Sequence, residues 1–245
     1  MMLRVAARSD AGRVREANED QYAILDLGHG GGTRMIAVAD GMGGHRAGDV
    51  ASSIALKELS EAVRGHSCQD GWLEVLRRGV ERANTAVFQM ALANEHQAGM
   101  GTTLTAVVLD DGHLFLVHVG DSRAYLVRDG DMSPLTRDHS LVEELIRLGD
   151  ITPDDAKDHP QKNVLTRAVG TRPRVNIQTL SIDLEVGDRI ILCSDGLYGL
   201  VPEDRMVAAL ARDGVEAGVE RLVDEANQLG GHDNITVVAV EVASL

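Results

Sequence analysis

At 245 residues, with 44% hydrophobic side chains, the chain is long enough for one large domain or two small ones with a substantial core. A formal charge of −14, from 38 acidic against 24 basic residues with no charged tail, argues against a binder of phosphate backbones. With one Trp, three Tyr and two Phe, the chain also lacks the aromatic platforms that stack single-stranded bases, so nucleic acid is not an expected partner.

In chain order, short apolar segments at Leu3 to Ala7, Tyr22 to Leu27 and Met35 to Ala39 read as strands, with glycines at 28, 30, 31 and 32 marking a hairpin loop. From about Asp49 the period becomes helical. Val50, Ile54, Leu59 and Val63 outline one amphipathic helix, and Trp72, Val75, Leu76, Val80, Ala83, Val87 and Met90 a second, with Trp72 and Met90 expected in the core. Strands return at Thr103 to Leu109, Leu114 to Val119 and Ala124 to Val127, punctuated by the hairpin dipeptides Asp111-Gly112 and Asp129-Gly130. Ser140 with Glu143 forms a capping box ahead of Leu141, Leu145, Ile146 and Leu148, and Thr152-Pro153-Asp154-Asp155 starts a second short helix. Residues 138 to 165 are therefore expected to form a helical insertion. Strands at 175 to 184 and 189 to 193, helices near 203 to 212 and 216 to 228, and a strand from Ile235 to Val242 complete the chain.

Phe115-Leu116-Val117 and Ile190-Ile191-Leu192 are apolar on consecutive positions, which requires cover on both faces of their sheets. The expected fold class is α+β, a sandwich of stacked, mostly antiparallel sheets with helices outside. With no repeat or linker, residues 1–245 read as one domain. Cys68 and Cys193 make neither a disulfide framework nor a thiolate zinc site, which suits a reducing compartment. No stretch has the length of a signal peptide or a membrane span, so a freely diffusing cytoplasmic protein with no membrane partner is expected.

Four aspartates stand beside small residues at strand ends: Asp40-Gly41, Gly120-Asp121, Asp195-Gly196 and Asp233-Asn234. Asp-Gly is also the commonest hairpin dipeptide, which explains any one of them alone. Asp40 fits that explanation poorly, because a helix follows it. If the four meet at one rim, each pair ~5 Å apart repels by ~3 kcal/mol at an effective dielectric of ~20, more in total than a marginally stable domain absorbs without cations. Oxygen donors without paired His or Cys select Mg²⁺ or Mn²⁺. Gly41, lacking a Cβ, is expected to let the chain turn sharply and offer its carbonyl to an ion held by Asp40. The glycine-rich stretch from Gly41 to Gly48 fails the dinucleotide fingerprint at Arg46 and contains no Gly-Lys pair for a P-loop. Near the N-terminus, Arg15 offers a planar fork for a phosphoryl group, and Glu19 and Asp20 add carboxylates directly or through water.

Arg15-x-x-Asn18-Glu19-Asp20, Asp40-Gly41-Met42-Gly43-Gly44, Met100-Gly101-Thr102-Thr103, Gly120-Asp121-Ser122-Arg123, Ser194-Asp195-Gly196 and Asp233-Asn234 occur in this order across the whole chain. Together they resemble the bacterial branch of the metal-dependent protein serine/threonine phosphatases of the 2C type. The resemblance implies a four-layer α-β-β-α sandwich with two metal ions in a cleft at one end, and residues 138 to 165 as a flap beside it. It implies that Asp40 bridges both ions, the Gly41 carbonyl binds one, Asp195 and Asp233 bind the other, and Arg15 holds the substrate phosphate. Asp121 and Asp195 would hold a third, weaker ion with Asn163, where relatives often carry Ser. Catalysis would be direct attack on phosphoserine or phosphothreonine by a metal-bridging hydroxide, reversing a serine/threonine kinase that is itself an expected partner. Eukaryotic members place His where this chain has Met42, so a metal-bound water rather than a histidine there would protonate the leaving group; nearby His45 reads as a structural loop residue. Two other readings compete: a catalytically silent phosphoprotein-binding regulatory relative, and a structural cation-binding domain. Arg15 counts against the latter, since a pure cation site gains nothing from a guanidinium.

Overall fold

Side-chain alternation along the strands sets the layering of the molecule. In a computed structural model, which describes residues 1–28, 32–43, 47–66 and 70–245, the strands are β1 (Met2–Asp10), β2 (Asp20–Asp26), β3 (Arg34–Met42), β4 (Gly101–Thr102), β5 (Leu104–Asp110), β6 (His113–Val119), β7 (Arg123–Arg128), β8 (Asp131–Pro134), β9 (Gln178–Asp183), β10 (Arg189–Cys193) and β11 (Ile235–Ser244). The helices are α1 (Ala47–Arg64), α2 (Trp72–Ala93), α3 (Leu141–Leu148), α4 (Pro153–Lys157), α5 (Asp195–Tyr198) and α6 (Glu203–Gln228). Gly30, Gly31, Gly44, His45, Arg46 and Cys68 lie outside the described residues.

One antiparallel sheet has the order β1-β11-β10-β7-β8 and the other β2-β3-β5-β6-β9, with β4 pairing the end of β3. Ile36, Val38, Leu116, Ile190, Leu192, Val238 and Val240 fill the space between the sheets. Their sequence neighbours face outward: Met35, Ala37, Ala39 and Val117 pack under α1 and α2, while Ile191, Cys193, Val237 and Ala239 pack under α6. The consecutive apolar positions are explained by this four-layer α-β-β-α stacking, each buried aliphatic side chain contributing about 1.5–3 kcal/mol.

Several boundaries differ from the sequence reading. The strand expected from Thr103 begins at Leu104, and Thr103 separates it from the short β4, because Thr103 turns its N–H and hydroxyl toward the backbone of Asp40. The strand expected from 175 begins at Gln178, and β8, a partner for β7, was not foreseen. The two C-terminal helices are continuous except for Gly214, whose φ of 77° breaks the helical path. Ser140 makes half a capping box: its side chain accepts the Glu143 N–H, while the Glu143 carboxylate lies 3.5 Å from Arg137. Thr152 and Asp155 complete the reciprocal pair instead. Trp72 is buried, but Met90 is 42% exposed and belongs to the solvent face of α2.

The antiparallel order brings particular strand ends to one edge. β3 and β6 flank β5, so they run in the same direction and finish together. At the matching edge of the other sheet β10 ends where β11 begins, and the segment joining β1 to β2 crosses from sheet to sheet there. The segment 138–165 leaves and rejoins the body as a closed excursion: Ser140 and Leu165 bridge, Leu141 N–H donates to the Val164 carbonyl, and Thr166 N–H donates to the His139 carbonyl.

Candidate active site

A cleft of about 470 Å³ opens at this edge, and its walls include Arg15, Glu19, Asp40, Gly41, Asp121, Asn163, Asp195 and Asp233. Asp40 and Asp121 come from one sheet, Asp195 and Asp233 from the other. Asp20 stands behind this wall, opposite Asp40 in the β2–β3 register and only 2% exposed. Asn163 reaches the cleft from the exposed side of the insertion.

Asp40 lies within β3, not at its end, because Gly41 and Met42 continue the ladder against Thr102 and Gly101. Gly41 is extended instead of sharply turned. Its missing Cβ serves close approach: a Cβ there would sit 2.1 Å from the Gly48 carbonyl oxygen. Gly196 obeys the same constraint, with a Cβ position 2.0 Å from the Asn234 carbonyl oxygen. Both Asp-Gly dipeptides thus mark backbone crossings, not hairpin turns.

The carboxylates are poorly compensated. Asp20 accepts a 2.6 Å hydrogen bond from Ser194 Oγ, yet its Oδ1 is buried with no partner. Burial, only partly offset by the Ser194 hydrogen bond, pushes its pKa up to about 7. Asp40 is held well above the ordinary carboxylate range, first by burial and then by Asp20, Asp195, Asp121 and Asp233. Burial, reinforced by Asp195, raises Asp121 to about 7, and burial with Asp233 raises Asp195 to about 6. Glu19 is raised as well, chiefly by burial. Facing them, Arg15 donates from Nη2 to Asp233 Oδ2 at 2.7 Å, an ion pair whose side chains are 52% and 37% exposed. Among the described residues no three carboxylate, imidazole or thiol groups enclose a single ion on their own. An ion seated here would take further oxygens from backbone or water.

Several side chains that hold the site were quoted in motifs without a role. Asn234 binds the crossing segment at three points: Oδ1 accepts the Glu19 N–H at 2.8 Å, and Nδ2 donates to the carbonyls of Ala11 and Ala17 at 3.0 and 2.9 Å. Thr103 Oγ1 accepts the Asp40 N–H at 2.8 Å and pairs with Ser122 Oγ at 2.6 Å. Arg123 donates from Nε and Nη2 to Asp138 and lies 3.8 Å over the Tyr198 ring, whose hydroxyl donates to the Asp121 carbonyl. Arg167 and Arg172, also on the cleft wall, belong to no motif that pointed to them.

Residues 12–226 match the model of the family described as Protein phosphatase 2C. The chain is 39% identical over 238 residues to the serine/threonine phosphatase Stp of Listeria welshimeri, covering 96% of this chain and 94% of that protein. It is 40% identical over 243 residues to the serine/threonine protein phosphatase PstP of Mycobacterium tuberculosis, covering 99% of this chain and 45% of PstP. The structure of the PstP catalytic domain in complex with two manganese ions superposes with a TM-score of 0.87 at 38% identity, covering 99% of each chain.

Proposed function

The chain belongs to the protein phosphatase 2C family, and from that premise we propose how it works as a metal-dependent protein serine/threonine phosphatase. Asp40 would hold the divalent ions, the Gly41 carbonyl would add an oxygen donor, and Asp195 and Asp233 would supply the carboxylates of the facing wall. Asp121 and Asn163, with Asp195, would hold a third, weaker ion, while Glu19 and Asp20 would act through water or from behind the wall. The reading rests on one observation: carboxylates from both sheets converge on a cleft where, among the described residues, Arg15 is the only cation in an ion pair with any of them. The residues fit hard divalent ions, since the donors are all oxygen and the buried, unpartnered Oδ1 of Asp20 leaves negative charge without compensation. When bound, Mn²⁺ or Mg²⁺ lowers the pKa of water and polarises the phosphoryl oxygens.

The chain's own residues supply the rest. Arg15 exchanges Asp233 for the substrate phosphate, using a fork suited to paired phosphoryl oxygens. Asn234 holds the Arg15 segment by its backbone, and Thr103 holds the backbone of Asp40, so phosphate and acidic floor keep one spacing. Phosphoserine and phosphothreonine proteins are the substrates, in a signalling role that opposes a serine/threonine kinase in the cytoplasm. No helix of the described residues is long and apolar enough to cross a membrane.

The test is phosphate release from phosphothreonine peptides, with Mn²⁺ and Mg²⁺ titrated separately. Turnover should require added ion and cease in chelator; turnover that survives chelation, or metal binding with no turnover on any phosphopeptide, contradicts this reading.

A further inference from the structure

Among the described residues Arg147, Arg167 and Arg172 have no carboxylate oxygen within 4.0 Å, although the chain carries a large excess of acid. All three lie on the insertion or the segment that returns from it. Arg172 lines the cleft, Arg147 lines an adjoining groove of about 880 Å³, and Arg167 lines both. The groove by itself is not cationic: Arg123 is consumed by Asp138, Arg137 lies beside Glu143, and Glu144 and Glu203 also face it. On the cleft wall itself, the arginines without a carboxylate partner among the described residues are therefore Arg167 and Arg172.

Arg167 is half-buried, and among the described residues its side chain meets His139 Nε2, 3.4 Å away. That imidazole accepts the Gly120 N–H through Nδ1, and burial together with Arg167 pushes its pKa down to about 4, so it is uncharged at neutral pH and leaves the Arg167 charge as it stands. Arg172 is exposed at the side chain but fixed at the backbone. Asn84 of α2, 2% exposed, donates from Nδ2 to the Arg172 carbonyl at 3.0 Å and accepts the Gly170 N–H through Oδ1 at 2.9 Å. Between these, Val169 bridges Thr102, whose hydroxyl donates to the Asp40 carbonyl. The segment carrying both arginines is tied by short links to the acidic floor. Such anchoring is needed where a charge must meet a ligand group at a set distance from another.

We infer that Arg167 and Arg172 form a subsite for a second anionic group of the phosphoprotein substrate, an acidic or phosphorylated side chain flanking the residue being dephosphorylated. The inference rests on the phosphatase reading above. A guanidinium lacking a protein carboxylate loses nothing by pairing with one from the substrate, and phosphate or carboxylate suits its planar fork.

Three phosphothreonine peptides of one sequence test it: neutral flanks, glutamate flanks, and a second phosphothreonine as flank. Wild-type protein with Mn²⁺ should show a kcat/KM about five- to tenfold higher on an anionic-flanked peptide than on the neutral one, an advantage that shrinks with added salt. Dividing by the neutral peptide cancels any general loss. On that ratio Arg167→Gln and Arg172→Gln should each cost about threefold, the double variant should remove the preference, and Arg172→Lys should retain most of it. An advantage confined to the doubly phosphorylated peptide assigns the subsite to phosphate; an equal advantage with glutamate assigns it to either anion. Equal rates on all three peptides, or a preference unchanged in the double variant, overturn the subsite while leaving the phosphatase reading standing. Failure to hydrolyse any of them, neutral peptide included, sinks that reading and the subsite with it.

Discussion

Asp188 and Asp20 are both buried carboxylates, 1% and 2% exposed, but their surroundings differ in kind. Asp188 receives two bonds from Arg128, at 2.8 and 2.7 Å, and the Glu185 N–H at 2.8 Å. Asp20 receives a serine hydroxyl, keeps one oxygen unbonded and faces further aspartates. At Asp188 the chain supplies its own counter-charge; at Asp20 and Asp40 it leaves a deficit. A deficit built from both sheets into one cleft is tolerable only when protons or cations fill it. That difference separates a carboxylate that holds the fold from one kept for chemistry.

The comparison is most exposed to Asp40→Asn. It should cut metal-dependent turnover on a phosphothreonine peptide by more than ~10³-fold, about 4 kcal/mol of barrier. In chelator the same variant should melt higher, by about 3 °C per kcal/mol of relieved repulsion. A lower melting temperature without metal would erase the distinction. Asp188→Ala should do the reverse: lose about 2 kcal/mol of stability in urea titrations, since Arg128 is left without its buried partner, and keep the turnover of each folded molecule.

The pH dependence of the metal-free protein sharpens the same point. Asp20 and Asp121 in the fold titrate near about 7 and Asp195 near about 6, all above the ordinary 3.8. Between those values the folded state binds more protons than the unfolded one. Stability in chelator should therefore fall as pH rises from ~4 to ~7, and saturating Mn²⁺ should flatten that slope. Melting curves across that range, with and without Mn²⁺, measure it; a metal-free profile that rises instead would contradict the deficit. The smallest effect is expected at the exposed Arg15–Asp233 pair. Arg15→Ala should raise KM for phosphopeptide about tenfold while the Mn²⁺ titration midpoint stays equal or tightens, because Asp233 loses a competitor.

Much of the fold was legible in residue order. Consecutive apolar residues in β6 and β10 required two covered faces, and the four-layer stack supplies them. The helical spacing after Asp49 and the breaks at Gly and Pro placed most elements to within a few residues. Local pattern misled where a long-range contact decided the outcome. Gly41 looked like a turn residue, but Gly48 crosses it; Met90 fitted the apolar period of α2, but it lies 42% exposed on the solvent side.

The sequence alone determined the chemistry that was available: oxygen donors in excess, one guanidinium beside a Glu-Asp pair, and no paired thiols or histidines for softer ions. Residue type dictates charge and ligand hardness, and periodicity dictates which faces must be buried. Only the tertiary structure decided which aspartates share a cleft, that Asp20 stands behind the wall, that Asn234 clamps the Arg15 segment and that Arg167 and Arg172 line the same cleft. These depend on partners far apart along the chain, such as Ser194 and Asp20 at a separation of 174 residues. Neither propensity nor spacing encodes such a meeting; it follows from strand order and from how two sheets stack.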